Sequence, residues 1–315
     1  MPDKKIIAVA GATGQQGGGL VRAILSDRSG EFTARAITRD PASEKARALA
    51  ELGAEVVQAN LHYEESVLNA FEGAYGAYCV TFFWEHMSPE KEFVEARNLA
   101  SAAGKAGLKH VVWSTLEDTR ESIPLDDDRM PTLSGTYKVP HFDVKAEGDA
   151  LFRESGVPTT YLLASFYWEN LLAPGSGPQP DEEGNLVLSL PMGDKKLAGI
   201  AAEDIGKCAL GMFKRGPELA GKTIGLAGEQ LTGEEMAQKY SKLLGRPVRY
   251  NAVPFDVFRG LGFPAAQELG NMFQFYTEFA EDVGRTRDVA VSRELNPELQ
   301  DFEEWLSRSR AKISA

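Results

Sequence analysis

The segment Gly11-Ala12-Thr13-Gly14-Gln15-Gln16-Gly17 sets three glycines at G-x-x-G-x-x-G spacing between an apolar burst and a helical pattern (Leu20, Val21, Ile24, Leu25). Glycines at such a junction permit a tight turn, a close approach of backbone to a pyrophosphate, and close packing of helix on strand. The opening helix adds unpaired N–H groups and the positive end of its dipole. The chemistry is phosphate binding within a dinucleotide. The spacing departs from the usual G-x-G-x-x-G of dehydrogenases, so the reading rests on context. About 20 positions on, where a sheet of this kind normally offers an acidic residue to the ribose 2'-OH, stands Arg39. Its planar fork of donors suits a 2'-phosphate, which favours NADP(H) over NAD(H). The plain alternative is a solvated arginine paired with Asp40.

His141-Phe142-Asp143-Val144-Lys145 forms a third constellation. Positions i and i+4 share a helix face, so His141 and Lys145 project together beside the carboxyl end of the fifth strand at Ser114. Lys145 is placed to reach a ribose hydroxyl. His141 is a candidate acid, although a lone helical histidine is more often structural. Two aromatic groups, Thr81-Phe82-Phe83-Trp84 and Phe166-Tyr167-Trp168-Glu169-Asn170, follow the fourth and sixth strands. There they either stack on the base or nicotinamide, or simply cap the sheet. Met272, Phe275, Tyr276 and Phe279 have the spacing of a helix's core face.

The elements that must position these residues alternate from residue 6 to about 163. Short β-branched runs (Ile6 to Ala10, Thr33 to Thr38, Glu55 to Gln58, Ala77 to Thr81, His110 to Ser114, Thr159 to Leu163) are separated by helical stretches. Ser88-Pro89 opens one helix as N-cap and N1 proline, and Gly107 stops it. The fold class is α/β, a Rossmann fold with a doubly wound parallel sheet and a smaller mixed α/β C-terminal domain. The expected division is 1–170 for the dinucleotide domain, completed from 186–226, and 171–315 for the interleaved smaller domain. Residues 172–185 are too rich in Pro and Gly for a regular element, and 117–137 reads as a polar loop able to move. A hairpin is expected from Leu186 to Leu190 through a Met192-Gly193-Asp194 turn to Lys196 and Ile200. Thr232-x-x-Glu235 reads as a capping box.

Composition narrows the function. The 315 residues carry 34 Lys+Arg against 46 Asp+Glu, a net charge of −12, which disfavours direct contact with nucleic acid or anionic lipid. The 2 cysteines, Cys79 and Cys208, lie far apart in apolar surroundings, which argues against disulfides, a metal cluster and a CxxC redox motif. No metal is expected. With no apolar run long enough to span a bilayer and no secretory leader pattern, the location implied is the cytoplasm, with the nucleus as a second possibility.

Taken together, Gly11 to Gly18, Val56-Val57-Gln58, Val80-Thr81 with Trp84-Glu85, His141-Phe142-Asp143 with Lys145, Glu169-Asn170-Leu171-Leu172, Leu188-Ser189-Leu190-Pro191, and Leu261-Gly262-Phe263-Pro264 through Asn271-Met272-Phe273 resemble the NmrA-like family of atypical short-chain dehydrogenases. The resemblance spans nearly the whole chain. It implies an NADP-binding Rossmann domain in a redox sensor or transcriptional co-regulator without demonstrated turnover. Carried to matching positions, it places cofactor contacts at Gly11 to Gln16, Arg39, Thr81 to Phe83, Lys145 and Tyr167 to Asn170, with Asn60 and Leu61 near adenine. Departures are specific. Ser43 stands where the family pattern has a lysine, leaving Lys45 as a substitute; Asn60 replaces an aspartate; Val94 replaces a second lysine, with Lys91 near it. In the wider superfamily a Tyr-x-x-x-Lys pair donates the proton, and here the tyrosine position is His141, while Tyr137 lies across Pro140. The expected function is an NADP(H)-binding sensor with regulatory protein partners and room for a homodimer. The alternative is an NADPH-dependent reductase of a small carbonyl or quinone, with Lys145 positioning the ribose and His141 or Tyr137 giving the proton.

Overall fold

The computed structural model describes residues 4–313. Buried β-branched runs and amphipathic stretches alternate as β1 (Lys5–Val9), α1 (Gln15–Ser26), β2 (Phe32–Thr38), α2 (Glu44–Glu51), β3 (Glu55–Gln58), α3 (Glu64–Phe71), β4 (Gly76–Cys79), α4 (Pro89–Lys105), β5 (His110–Thr115), α5 (Pro140–Glu154) and β6 (Thr159–Leu163). Beyond them come β7 (Phe166–Tyr167), β8 (Gln179–Pro180), β9 (Leu186–Leu190), β10 (Leu197–Ile200), α6 (Ala202–Arg215), β11 (Thr223–Gly225), β12 (Glu229–Leu231), α7 (Gly233–Leu244) and β13 (Val248–Ala252). The chain ends in helices α8 (Phe255–Arg259), α9 (Ala266–Glu278), α10 (Ala280–Thr286), α11 (Val289–Leu295) and α12 (Phe302–Ile313).

The main sheet has 7 strands in the order β11-β6-β5-β4-β1-β2-β3. β1 pairs in parallel with both β2 and β4, so the winding reverses between β1 and β4. At such a switch point the carboxyl ends of two strands diverge and leave a crevice, where doubly wound sheets bind their ligands. Gly11 follows one of these strands and Thr81 the other. The core beneath is packed by Val67, Phe71, Leu99, Val111 and Trp113, with the Trp113 ring stacked on Phe152 at 4.7 Å.

The described chain divides into two units, each discontinuous. Among the described residues the first comprises 4–118, 141–164 and 203–224; the second comprises 119–140, 165–202 and 225–313. The second holds two 3-stranded sheets, β12-β10-β7 and β13-β9-β8. The expected hairpin is therefore corrected. β9 pairs with β13 and β8, whereas β10 pairs with β12 and β7. Pro191, without an N–H, follows β9, and partners from farther along the chain take both strands. β8 likewise introduces a short strand into the stretch expected to lack one. The stretch read as a loose polar loop is fastened: Lys138 Nζ donates to Asp127 O at 2.8 Å and Met130 O at 2.7 Å, and Asn271 Nδ2 donates to Pro131 O and Lys138 O at 2.9 and 2.6 Å. The Met272, Phe275 and Tyr276 stripe is core, at 6%, 3% and 4% exposure. The capping box of α7 forms as read, Thr232 and Glu235 bonding reciprocally. Among the described residues no helix is long and apolar enough to cross a membrane.

Candidate dinucleotide site

The candidate phosphate loop lies between β1 and α1. Gly11 adopts φ +63°, a left-handed value that glycine takes without cost. A Cβ on Gly17 would lie 2.5 Å from Gly11 O, so the loop closes only with glycine there. The N-cap of α1 is Gly14, which offers no side-chain cap, and Gly11, Gly14 and Gln15 are exposed. Unpaired N–H groups at an accessible helix N-terminus are what a pyrophosphate requires, so the residues present fit a dinucleotide. Ala12 is buried, Thr13 half-buried, and Gln16 turns inward to accept a hydrogen bond from the Tyr78 hydroxyl.

At the end of β2, Arg39 lines a shallow cavity of about 280 Å³ with Gln58, Ala59, Asn60 and Ser66. Gln58 Nε2 fixes the backbone by donating to Arg39 O at 3.0 Å. The guanidinium is 59% exposed and bonds the carboxylate of Glu85, 46 positions away, in place of the Asp40 partner considered from sequence. Asn60 organises the following turn, its Oδ1 accepting from His62 N at 3.0 Å, and Leu61 O accepts from Asn98 Nδ2 at 2.8 Å. Ser43 caps α2, donating to Asp40 O at 2.8 Å and accepting from Ala46 N at 3.3 Å. Lys45 and Lys91 are exposed.

β4 ends at Cys79, earlier than expected, which frees Thr81 to turn toward α4 and α5. Lys145 Nζ donates to Thr81 Oγ1 at 2.6 Å, Thr81 O at 3.2 Å and Glu92 Oε1 at 2.6 Å, which engages all three of its hydrogens. Thr81 Oγ1 in turn donates to Glu92 Oε1 at 2.6 Å. His141, 6% exposed, packs its ring 4.6 Å from Trp84 and 5.9 Å from Phe83. Phe83 is buried while Phe82 is 62% exposed. Tyr137 lies outside α5, in a bridge with Leu133.

Sequence reasoning missed the acidic side of this centre. Glu92 and Glu95 face inward from α4, and His86 Nε2 lies 3.6 Å from Glu92 and 3.9 Å from Glu95. His62 Nε2 approaches Glu95 at 3.4 Å. Burial, then the Glu92 charge, pushes the Glu95 carboxyl up to about 7, and burial holds His86 below its ordinary value. His86, Glu92 and Glu95 have the composition of a metal-ligand set. However, His86 Nδ1 accepts from Ser88 N at 3.1 Å, so the neutral ring carries its proton on Nε2 and presents a donor, the wrong polarity for a metal ligand. The signal for this cluster was the i, i+3, i+7 register of Glu92, Glu95 and Leu99 on one helix face.

Tyr167, Trp168, Glu169 and Asn170 belong to the second unit. There Trp168 is 1% exposed, 5.3 Å from Phe302 and 5.9 Å from Trp305. Glu169 accepts from Ala202 N at 2.9 Å and Trp305 Nε1 at 3.0 Å. Tyr167 is half-buried and Asn170 exposed.

A model of the NmrA-like family matches residues 3–306. The oxidoreductase FrzB of a Cladobotryum species, of the same family, is 30% identical over 293 residues, spanning 86% of this chain and 83% of its own. The oxidoreductase lnbB of Aspergillus flavus is 27% identical over 289 residues, 86% of this chain and 83% of its own. Among solved structures, the negative transcriptional regulator NmrA superposes with a TM-score of 0.79 at 25% identity, covering 96% of this chain and 94% of that one. That regulator has also been crystallised with NAD and with NADP.

Proposed function

Since the chain belongs to the NmrA-like family, we propose that it binds an NAD(P)-type dinucleotide, prefers NADP(H), and acts as a redox sensor or transcriptional co-regulator without turnover. One observation carries the reading: the phosphate loop is complete, while the position of the superfamily's proton-donating tyrosine holds His141, enclosed by aromatic rings, and Lys145 is fully engaged by Glu92 and Thr81. The NmrA neighbour, named as a transcriptional regulator and crystallised with both cofactors, supports it. Thiol sensing is a poor rival, because Cys79 and Cys208 are buried and burial raises both thiols far above their ordinary range. Redox state then enters through the nicotinamide ring, and the cofactor form selects which conformations meet a protein partner. Titration of NADPH, NADP, NADH and NAD by calorimetry tests the proposal: micromolar NADP(H) binding with weaker NAD(H) supports it, and no binding of any of the four overturns it.

A second reading has its own support, because the relatives FrzB and lnbB are named oxidoreductases. On this reading the protein is an NADPH-dependent reductase, with Lys145 released to the ribose and His141 giving a proton to a carbonyl or quinone. Steady oxidation of NADPH against a panel of aldehydes, ketones and quinones, abolished by His141→Ala with binding retained, selects the reductase. No turnover across the panel selects the sensor.

A further inference from the structure

We infer that Glu85 is a built-in occupant of the 2'-phosphate seat, a specificity residue that holds the Arg39 guanidinium in the absence of NADP(H) and narrows the preference for NADP(H) over NAD(H). The inference rests on the proposed role of Arg39. Three features of the corner lead to it. The Glu85 carboxylate bonds Arg39, and neither side chain has another hydrogen-bonding side-chain partner among the described residues. Arg39 borders the cavity with Gln58, Asn60 and Ser66, none of which carries a second positive charge. The hydroxyl of Ser43, at the position where the family pattern has a lysine, is occupied in capping α2. Among the described residues that line this cavity Arg39 is thus the cation, and a carboxylate already sits on it.

Glu85 arrives from the other side of the switch point. It ends the single 3-10 turn Phe83–Glu85, anchored by buried Phe83 and followed by Met87 in a left-handed conformation at φ +51°. A carboxylate and a phosphate dianion cannot share one guanidinium without like-charge repulsion, so binding of NADP(H) must displace Glu85. A ribose 2'-OH imposes no such demand, because a carboxylate accepts a hydrogen bond from it, as acidic residues do in NAD-selective sites. NADP(H) therefore bears a cost at this corner that NAD(H) does not.

The test is calorimetric titration of the full chain with NADP and NAD for wild type, Glu85→Gln, Glu85→Lys and Arg39→Ala. Residues 39 and 85 are both exposed, so none of these changes threatens the fold. Exposed ion pairs are worth little, so Glu85→Gln is expected to tighten NADP by about two- to five-fold without tightening NAD. Glu85→Lys adds a donor to the phosphate and is expected to tighten NADP by about ten-fold or more. The inference is overturned if Glu85→Gln leaves NADP unchanged or weaker, or tightens both cofactors alike. Arg39→Ala separates the two levels: an unchanged NADP/NAD ratio there defeats the underlying reading, whereas a collapsed ratio beside a silent Glu85→Gln defeats only the role of Glu85.

Discussion

Removing the charge of Lys145 tests whether the buried ion pair holds the first unit together. Lys145 and Glu92 meet at 2.6 Å with side chains 11% and 1% exposed. At an effective dielectric of about 20 the attraction at that distance is about 6 kcal/mol, and desolvation of both ions cancels much of it. Deleting one partner is worse than deleting both, because the survivor stays buried without its counter-ion; the cost is about 3–5 kcal/mol. Lys145→Met keeps the length and apolar character of the stem, so the loss is not one of packing. Set against a typical total of about 5–15 kcal/mol, this is a large fraction. With a urea slope of about 3 kcal/mol/M, the unfolding midpoint should fall by about 1–1.7 M at pH 7, read by circular dichroism. The double variant Lys145→Met/Glu92→Gln should recover part of the loss. A single-variant cost below about 1 kcal/mol would refute the reasoning, since it would mean that water already screens Glu92.

Gly17→Ala forces a Cβ to 2.5 Å from Gly11 O and 2.8 Å from Gly11 C, so the loop must open; dinucleotide affinity should drop by about ten-fold or more in calorimetry while far-ultraviolet dichroism stays unchanged. Glu95, facing Glu92, His86 and His62, is raised from 4.5 to about 7. The folded chain thus holds this proton more tightly than the unfolded one, and ionisation lowers stability progressively between those two pH values. Glu95→Gln should accordingly be more stable than wild type at pH 8 and level with it near pH 4; a gain confined to acid would contradict the sign. Cys79 and Cys208, both buried, should resist a thiol-reactive disulfide dye in the native protein and titrate fully in guanidinium, so rapid native labelling of either would disprove their burial.

Much of the first unit was legible because its strands are buried on both faces and read as apolar runs, and its loop glycines answer to local demands at φ and Cβ. What escaped was non-local. Leu186 to Leu190 and Lys196 to Ile200 look like the arms of a hairpin, yet Val248–Ala252 and Glu229–Leu231 take the two arms into separate sheets. Arg39 has an acid beside it in sequence at Asp40 but meets Glu85 through the fold. Glu92 and Glu95 sit in a charged stretch of sequence, and burial of Glu92 is tolerable because both Lys145 and Thr81 bond its Oε1.

The discontinuity of the first unit bears on how the protein is made. Helix α6 packs so closely on α1, the helix that opens from the phosphate loop, that a Cβ on Gly206 would lie 2.1 Å from Leu20 N, and β11 closes the sheet edge beside β6. Both elements follow the excursion that leaves the unit after Ala164, and the unit is complete only at Ile224. At a synthesis rate of about 5–20 residues per second, those roughly 60 residues take about 3–12 s. During that interval a nascent chain holds β1 to β6 with one side of α1 uncovered, a surface on which a chaperone can act. The glycine loop is made well before α6, so its supporting helix acquires its cover only after the whole excursion has been synthesised.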